Sequence, residues 1–196
     1  LTRKIIDLSL TFNNTMRGVD IQSALRINPD GYNTSNVTLY SHAGTHMDAP
    51  KHFINGGGSI DDLDLDKCIG DALLIDLTHK APNSFITVDD LSDYAGRITA
   101  GSRVILRTDW DKHVGNADYR THFPRISVEL AAWLAERGVW LLGVQSPSVA
   151  SLVEENRQEL TDVHQTLLAA DIVIVEGLAN LDQIAVDTST FIALPL

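Results

Sequence analysis

Cysteine is almost absent: Cys68 is the only one in 196 residues, so the chain forms no intrachain disulfide and is not a disulfide-stapled secreted scaffold. A cytoplasmic location is the expectation. Basic residues are also scarce, with 15 Lys and Arg against 26 Asp and Glu, and the net charge of −11 repels phosphate backbones and anionic headgroups. Neither a nucleic-acid nor a membrane partner is expected. No run approaches the roughly 18 uncharged apolar residues that cross a bilayer. The start, Leu1-Thr2-Arg3-Lys4-Ile5-Ile6-Asp7, carries no hydrophobic signal region, so secretion is not expected. Internal repeats, low-complexity tracts and proline-rich linkers are missing as well. One domain over 1–196 is the expected organisation, with 44% apolar residues to build its core.

Several catalytic signatures are absent too. No Gly-x-Ser-x-Gly elbow argues for a serine hydrolase. Gly56-Gly57-Gly58 lacks the Lys-Ser/Thr that completes a phosphate loop and reads as a turn. Asp61, Asp62, Asp64 and Asp66 alternate with Leu63 and Leu65, but no closing glutamate follows at calcium-loop spacing. They read as a solvated acidic strand or turn.

The pattern that is present is mixed α/β. Short β-prone runs cover 4–10, 37–40, 72–77 and 103–107. Ser127 is placed to cap a helix whose Leu130, Trp133, Leu134 and Arg137 recur at helical spacing before Gly138 ends it. The apolar run 139–144 reads as a buried strand. A second helix over about 160–170 puts Val163, Leu167 and Leu168 on one face, and 172–175 follows as another core strand. A shorter helix near 88–94, capped by Thr87, completes the reading.

Three of the seven histidines and one aspartate fall within Ser41-His42-Ala43-Gly44-Thr45-His46-Met47-Asp48-Ala49-Pro50-Lys51-His52-Phe53. Imidazole and carboxylate donors without thiolates suit Zn2+ or Mn2+ in an open catalytic site. His42, His46, Asp48 and His52 share parity, but on a straight strand rising ~3.3 Å per residue the backbones of His42 and His46 would stand ~13 Å apart. One ion reaches both only if the chain curls between them, and Gly44 is the residue that permits it. Pro50 biases Ala49 away from helix, which places the segment on a bent loop after the 37–40 strand.

The run His42-Ala43-Gly44-Thr45-His46-Met47-Asp48-Ala49-Pro50-Lys51-His52-Phe53 resembles the signature of the cyclase-family metal-dependent hydrolases, the group that includes bacterial kynurenine formamidase and isatin hydrolase. Supporting similarities lie in Ile6-Asp7-Leu8-Ser9, Leu106-Arg107-Thr108-Asp109-Trp110, Phe123-Pro124-Arg125-Ile126-Ser127, and in His164-Gln165-Thr166-Leu167-Leu168 through Val175-Glu176-Gly177-Leu178. The resemblance implies a swivelling β/β/α fold and a homodimer or homotetramer. It implies that His42, His46 and Asp48 bind one divalent ion, and that His164 and Glu176 join Asp48 around a second. His52 matches the general acid/base. From the residues alone, Glu176 reads equally as a strand-end carboxylate in solvent and His164 as an exposed helical histidine.

The implied activity is hydrolysis of an amide or cyclic amide C–N bond in a small planar substrate, using one or two Zn2+ or Mn2+ ions. The alternatives are a lactone hydrolase or cyclase using the same site, and a metal-stabilised binding protein without catalysis. Phe53, Trp110, Tyr119 and Phe123 are candidate walls for a planar substrate, and Ser146 a candidate donor to its carbonyl. Gln145 and Ala150 stand where many relatives carry aspartate. The segment Thr15-Met16-Arg17-Gly18-Val19-Asp20 lacks the Pro-Gly-Asp turn associated with kynurenine formamidases, which argues against N-formylkynurenine as the substrate.

Overall fold

A computed structural model describes residues 4–195. At its centre lies a six-stranded sheet in the order β10-β4-β6-β8-β9-β3. Its strands are β3 (His46–Asp48), β4 (Ile69–Asp76), β6 (Arg103–Arg107), β8 (Leu141–Val144), β9 (Val173–Glu176) and β10 (Thr188–Ile192). The inner four run parallel, while β10 and β3 lie antiparallel at the two edges. Parallel strands are covered on both faces, which explains the nearly unbroken apolar runs of β8 and β9. Alternate residues divide between two cores. Leu73, Ile75 and Ile174 join the helix-side core, while Ala72, Leu74, Val173 and Val175 join a second core beneath the loops that carry Leu178 and Leu181.

A hairpin of β1 (Val19–Leu25) and β2 (Thr34–Leu39), with the single helical turn α1 (Ile27–Asp30) at its tip, stands outside the main sheet. A two-residue parallel ladder joins β5 (Phe85–Ile86) to β7 (Arg125–Ile126). The helical layer consists of α2 (Val128–Glu136) and α3 (Arg157–Ala169), packed against each other. Ser127 caps α2 as expected, its hydroxyl accepting from the Leu130 N–H at 3.1 Å. Among the described residues no helix is long and apolar enough to cross a membrane.

Two local expectations are corrected. Residues 4–10 form no strand. The Leu10 N–H donates to Thr45 Oγ1 at 2.8 Å, and the Leu8 carbonyl accepts from the Ala179 N–H at 2.8 Å. The segment is laced to loops instead of entering a ladder. The short helix is a 3-10 run over Asp89–Tyr94, and the cap works in reverse: Asp90 reaches back to accept from the Thr87 N–H at 2.7 Å and from its hydroxyl at 3.0 Å. Of the two readings of the acidic run, strand or turn, the structure takes the turn: two 3-10 turns capped by Ser59 and Asp64.

Candidate metal centre

Register and parity assemble the site. In the β3–β9 ladder His46 faces Glu176, Met47 faces Val175 and Asp48 faces Ile174. His46 and Asp48 therefore point to the α3 side with Glu176, while Met47 turns to the opposite core. His164 occupies the buried face of α3 beside Val163 and Leu167, which sets it above the same ladder. The curl between His42 and His46 is real. Gly44 adopts φ +59°, and its carbonyl accepts from His46 Nδ1 at 3.0 Å.

Five side chains converge. His42 Nδ1 lies 3.2 Å and His46 Nε2 3.7 Å from Asp48 Oδ1. His164 Nε2 lies 3.7 Å from Asp48 Oδ2 and 3.5 Å from Glu176 Oε1. His46 Nε2 is 3.3 Å from Glu176 Oε2. Because a carbonyl can only accept, the His46 Nδ1 bond to Gly44 and the His164 Nδ1 bond to the Leu160 carbonyl at 2.7 Å each fix a proton on Nδ1. That aims both Nε2 atoms at the carboxylates, an arrangement typical of metal-binding imidazoles. Glu176 Oε1 is itself steadied by the Val149 N–H at 2.8 Å.

A divalent cation fits this donor set. His46 Nε2 and both Asp48 carboxylate oxygens are buried without a hydrogen-bond partner among the described residues. An unpaired buried carboxylate costs several kcal/mol, and a cation removes that cost. Ligand atoms about 2.0–2.2 Å from a tetrahedral zinc sit about 3.3–3.6 Å from one another, and the observed separations of 3.2–3.7 Å match. Two overlapping groups, His42–Asp48–His52 and His46–Asp48–Glu176, bring ligand atoms within 4.8 Å. Asp48 is common to both.

The electrostatics draw positive charge inward. Burial alone would lower His46 and His164, but the nearby Glu176 carboxylate, with Asp48 behind, raises both imidazoles. Burial would raise the Glu176 carboxyl, yet His164 and His46 hold it far below the usual carboxylate range. His52 ends the 3-10 turn Pro50–His52. Its ring lies 4.1 Å from that of His42 and 5.9 Å from that of His164. Burial, reinforced by the charges of those two histidines, lowers it despite Asp48.

Residues 6–151 match the model of the Cyclase family, described as "Putative cyclase". The chain belongs to this cyclase family. Kynurenine formamidase of Bacillus anthracis is 31% identical in an alignment covering 100% of this chain and 91% of that protein. That of Erythrobacter litoralis (strain HTCC2594) is 32% identical over 84% of this chain and 70% of its own. Among solved structures, isatin hydrolase A from Labrenzia aggregata bound to benzyl benzoate is similar at a TM-score of 0.84 and 25% identity. That likeness covers 98% of this chain and 87% of the hydrolase.

Several expectations about the surroundings of this cyclase-family centre are corrected. Of the four aromatic wall candidates, only Tyr119 lines the cavity of about 440 Å3 that opens beside His42 and Gly44. Phe53 instead stacks on His164, with ring centroids 4.4 Å apart. Trp110 is buried, its indole N–H donating to the Tyr119 carbonyl at 2.9 Å, and Phe123 is core. Ser146 is buried and spends its hydroxyl on the Ser148 carbonyl at 2.6 Å, which leaves no donor for a substrate. Glu176 and His164 are buried, not solvent-facing as their local sequence suggested.

Gln145 has a role the sequence did not reveal. Its Oε1 accepts from the Thr108 and Asp109 N–H groups at 2.8 and 2.7 Å, and its amide donates to Asp111 Oδ1 at 2.7 Å. Asp111 Oδ2 in turn accepts from the Asn180 N–H at 3.0 Å. An aspartate at 145 could accept from the two N–H groups but could not donate to Asp111. Arg17 and Arg120 also line the cavity. In sequence they are ordinary loop arginines, and only their place on a cavity whose lining includes no carboxylate distinguishes them.

Proposed function

We propose that this chain is a metal-dependent hydrolase that cleaves the amide or cyclic amide C–N bond of a small aromatic substrate. The observation that carries this reading is the convergence of His42, His46, Asp48, His164 and Glu176 around buried donor atoms with no protein partner. His42, His46 and Asp48 would hold one divalent ion, Zn2+ or Mn2+, with His164 and Glu176 completing the set for a second. When bound, the metal supplies Lewis acidity, which favours ionisation of water and polarises a carbonyl.

The protein's own groups do the rest. Asp48 and Glu176 balance cationic charge, and the two Nδ1 anchors keep His46 and His164 from rotating away. Neither ring nitrogen of His52 is hydrogen-bonded among the described residues, and His52 keeps contact with solvent. It takes the proton as the water oxygen bonds to the carbonyl carbon, and returns it to the nitrogen as the C–N bond breaks. The products are a carboxylic acid and an amine, joined in one molecule when the amide is cyclic. The family resemblance further supports one domain over 1–196 assembled as a homodimer or homotetramer. The single cysteine supports a cytoplasmic setting.

Elemental analysis of protein purified without chelator, alongside hydrolysis assays on aryl formamides and cyclic aryl amides, tests the proposal. The expected result is bound zinc or manganese, lost in His46→Ala, with turnover of at least one amide class. Protein that takes up neither metal when supplied with it would sink the reading.

A further inference from the structure

Gln145 is 1% exposed, and a buried primary amide is stable only where its donors and acceptor are matched. Here it grips the chain on both sides of Trp110. Its Oε1 accepts from the Thr108 and Asp109 N–H groups at 2.8 and 2.7 Å, and its Nε2 donates to Asp111 Oδ1 at 2.7 Å. Trp110, between them, donates its indole N–H to the Tyr119 carbonyl and stacks on His113 with ring centroids 4.0 Å apart. The far side of this loop, residues 114–117 with Tyr119 and Arg120, forms one wall of the cavity beside His42. The second oxygen of Asp111 reaches the other way and accepts from the Asn180 N–H at 3.0 Å, just beyond the candidate ligand Glu176. The Ser146 carbonyl, next to Gln145, accepts from the Gly177 N–H at 2.9 Å. One buried amide thus ties the cavity wall to the segment that carries Glu176. Asp109 has φ +57° and Asn180 φ +58°, left-handed backbone that residues other than glycine seldom adopt, and the N–H groups of both are held by this network.

We propose that Gln145 is a positioning residue: acting through Asp111 and Trp110, it sets the 114–120 wall at the distance from the metal centre at which a substrate is seated. That use of the wall rests on the amide-hydrolase reading given above. Neither Gln145 nor Asp111 is among the described residues that line the cavity, so their influence passes through the loop. It belongs to substrate binding, and neither metal retention nor proton transfer depends on it.

The test exchanges donor and acceptor. In Gln145→Glu the new carboxylate still accepts from the Thr108 and Asp109 N–H groups but meets the Asp111 carboxylate where a hydrogen bond stood. In Asp111→Asn a single carbonyl oxygen has to serve both the Gln145 amide and the Asn180 N–H. The double variant restores every bond with the polarity of the central one reversed, so a double-mutant cycle isolates that bond. With formanilide on metal-loaded enzyme, each single variant should raise KM about tenfold, while kcat stays within about threefold and metal content is unchanged. The double variant should recover most of the loss. Hydrogen exchange gives a reading that does not depend on turnover. Peptides covering 108–120 should exchange faster in both single variants and return towards the parent rate in the double variant, with α2 unchanged throughout. Single variants that lose thermal stability but keep KM and the exchange of 108–120 overturn the positioning role, as does a loss confined to kcat or a double variant that recovers neither reading. Should Gln145→Glu fail to fold, Asp111→Asn, at a half-buried position, decides by the same two readings. If the unmodified enzyme leaves formanilide intact, the amidase reading fails alone. Exchange then decides: recovery in the double variant upholds the placement of the wall by Gln145, and its absence overturns it.

Discussion

Gly44 and Gly177 show how little freedom single residues of the site possess. Gly177 has φ +68°, and a Cβ there would stand 2.6 Å from the Gly44 carbonyl oxygen. Gly44 has φ +59°, and a Cβ there would meet the Phe12 ring at 2.9 Å. Gly177→Ala should destabilise the fold by about 1–3 kcal/mol, read by denaturant unfolding, and should weaken metal retention by shifting the Gly44–Thr45 turn. His52→Ala should behave oppositely, keeping its metal while turnover falls at least about a hundredfold. Near-normal turnover in that variant would remove His52 from the proton path. At this scale the sequence was legible where spacing carried meaning. The cluster from His42 to His52 and the pivot at Gly44 could be read, since two distant imidazoles demanded a bend. Glu176 and His164 could not be placed from local pattern, because their burial depends on β3 joining β9 from far along the chain.

Elements were legible when their stabilisation was local. β6 and the Ser127 cap of α2 match the reading from periodicity because side-chain alternation and capping chemistry are written in adjacent residues. The segment 4–10 alternates like a strand but finds its partners in Thr45 and Ala179, which no local pattern reveals. Ser127→Ala should cost about 1 kcal/mol in thermal or chemical unfolding. Asp90 ties Lys80 and Thr87 to the start of the 3-10 run. Burial opposes its ionisation, yet the bonds from Thr87 and Lys80 prevail and lower its carboxyl. With a folded value below the unfolded one, its stabilisation is complete above roughly pH 4 and disappears as pH falls through the lowered folded value. Asp90→Asn should therefore lose about 1–2 kcal/mol at neutral pH and show a shallower loss of stability on acidification.

For the whole molecule, a cation that binds only the folded chain adds to stability by mass action. Chelation should lower the unfolding midpoint by an amount that grows with the metal concentration removed, since a hundredfold excess over Kd corresponds to about 2.7 kcal/mol. Equal midpoints with and without chelator in metal-loaded protein would contradict a bound ion. The mixed α/β class was legible from alternating strands and helices, but the strand order was not, because the two antiparallel edges are long-range choices.

The β3–β9 ladder also sets a timetable for biosynthesis. His46 is synthesised well before its partner Glu176, so the two halves of the centre meet only once β9 has left the ribosome. Nascent chains stalled before β9 should therefore fail to retain zinc or manganese even where α2 and the first parallel strands have folded. Metallation then follows the emergence of β9 and does not guide the folding of the strands before it.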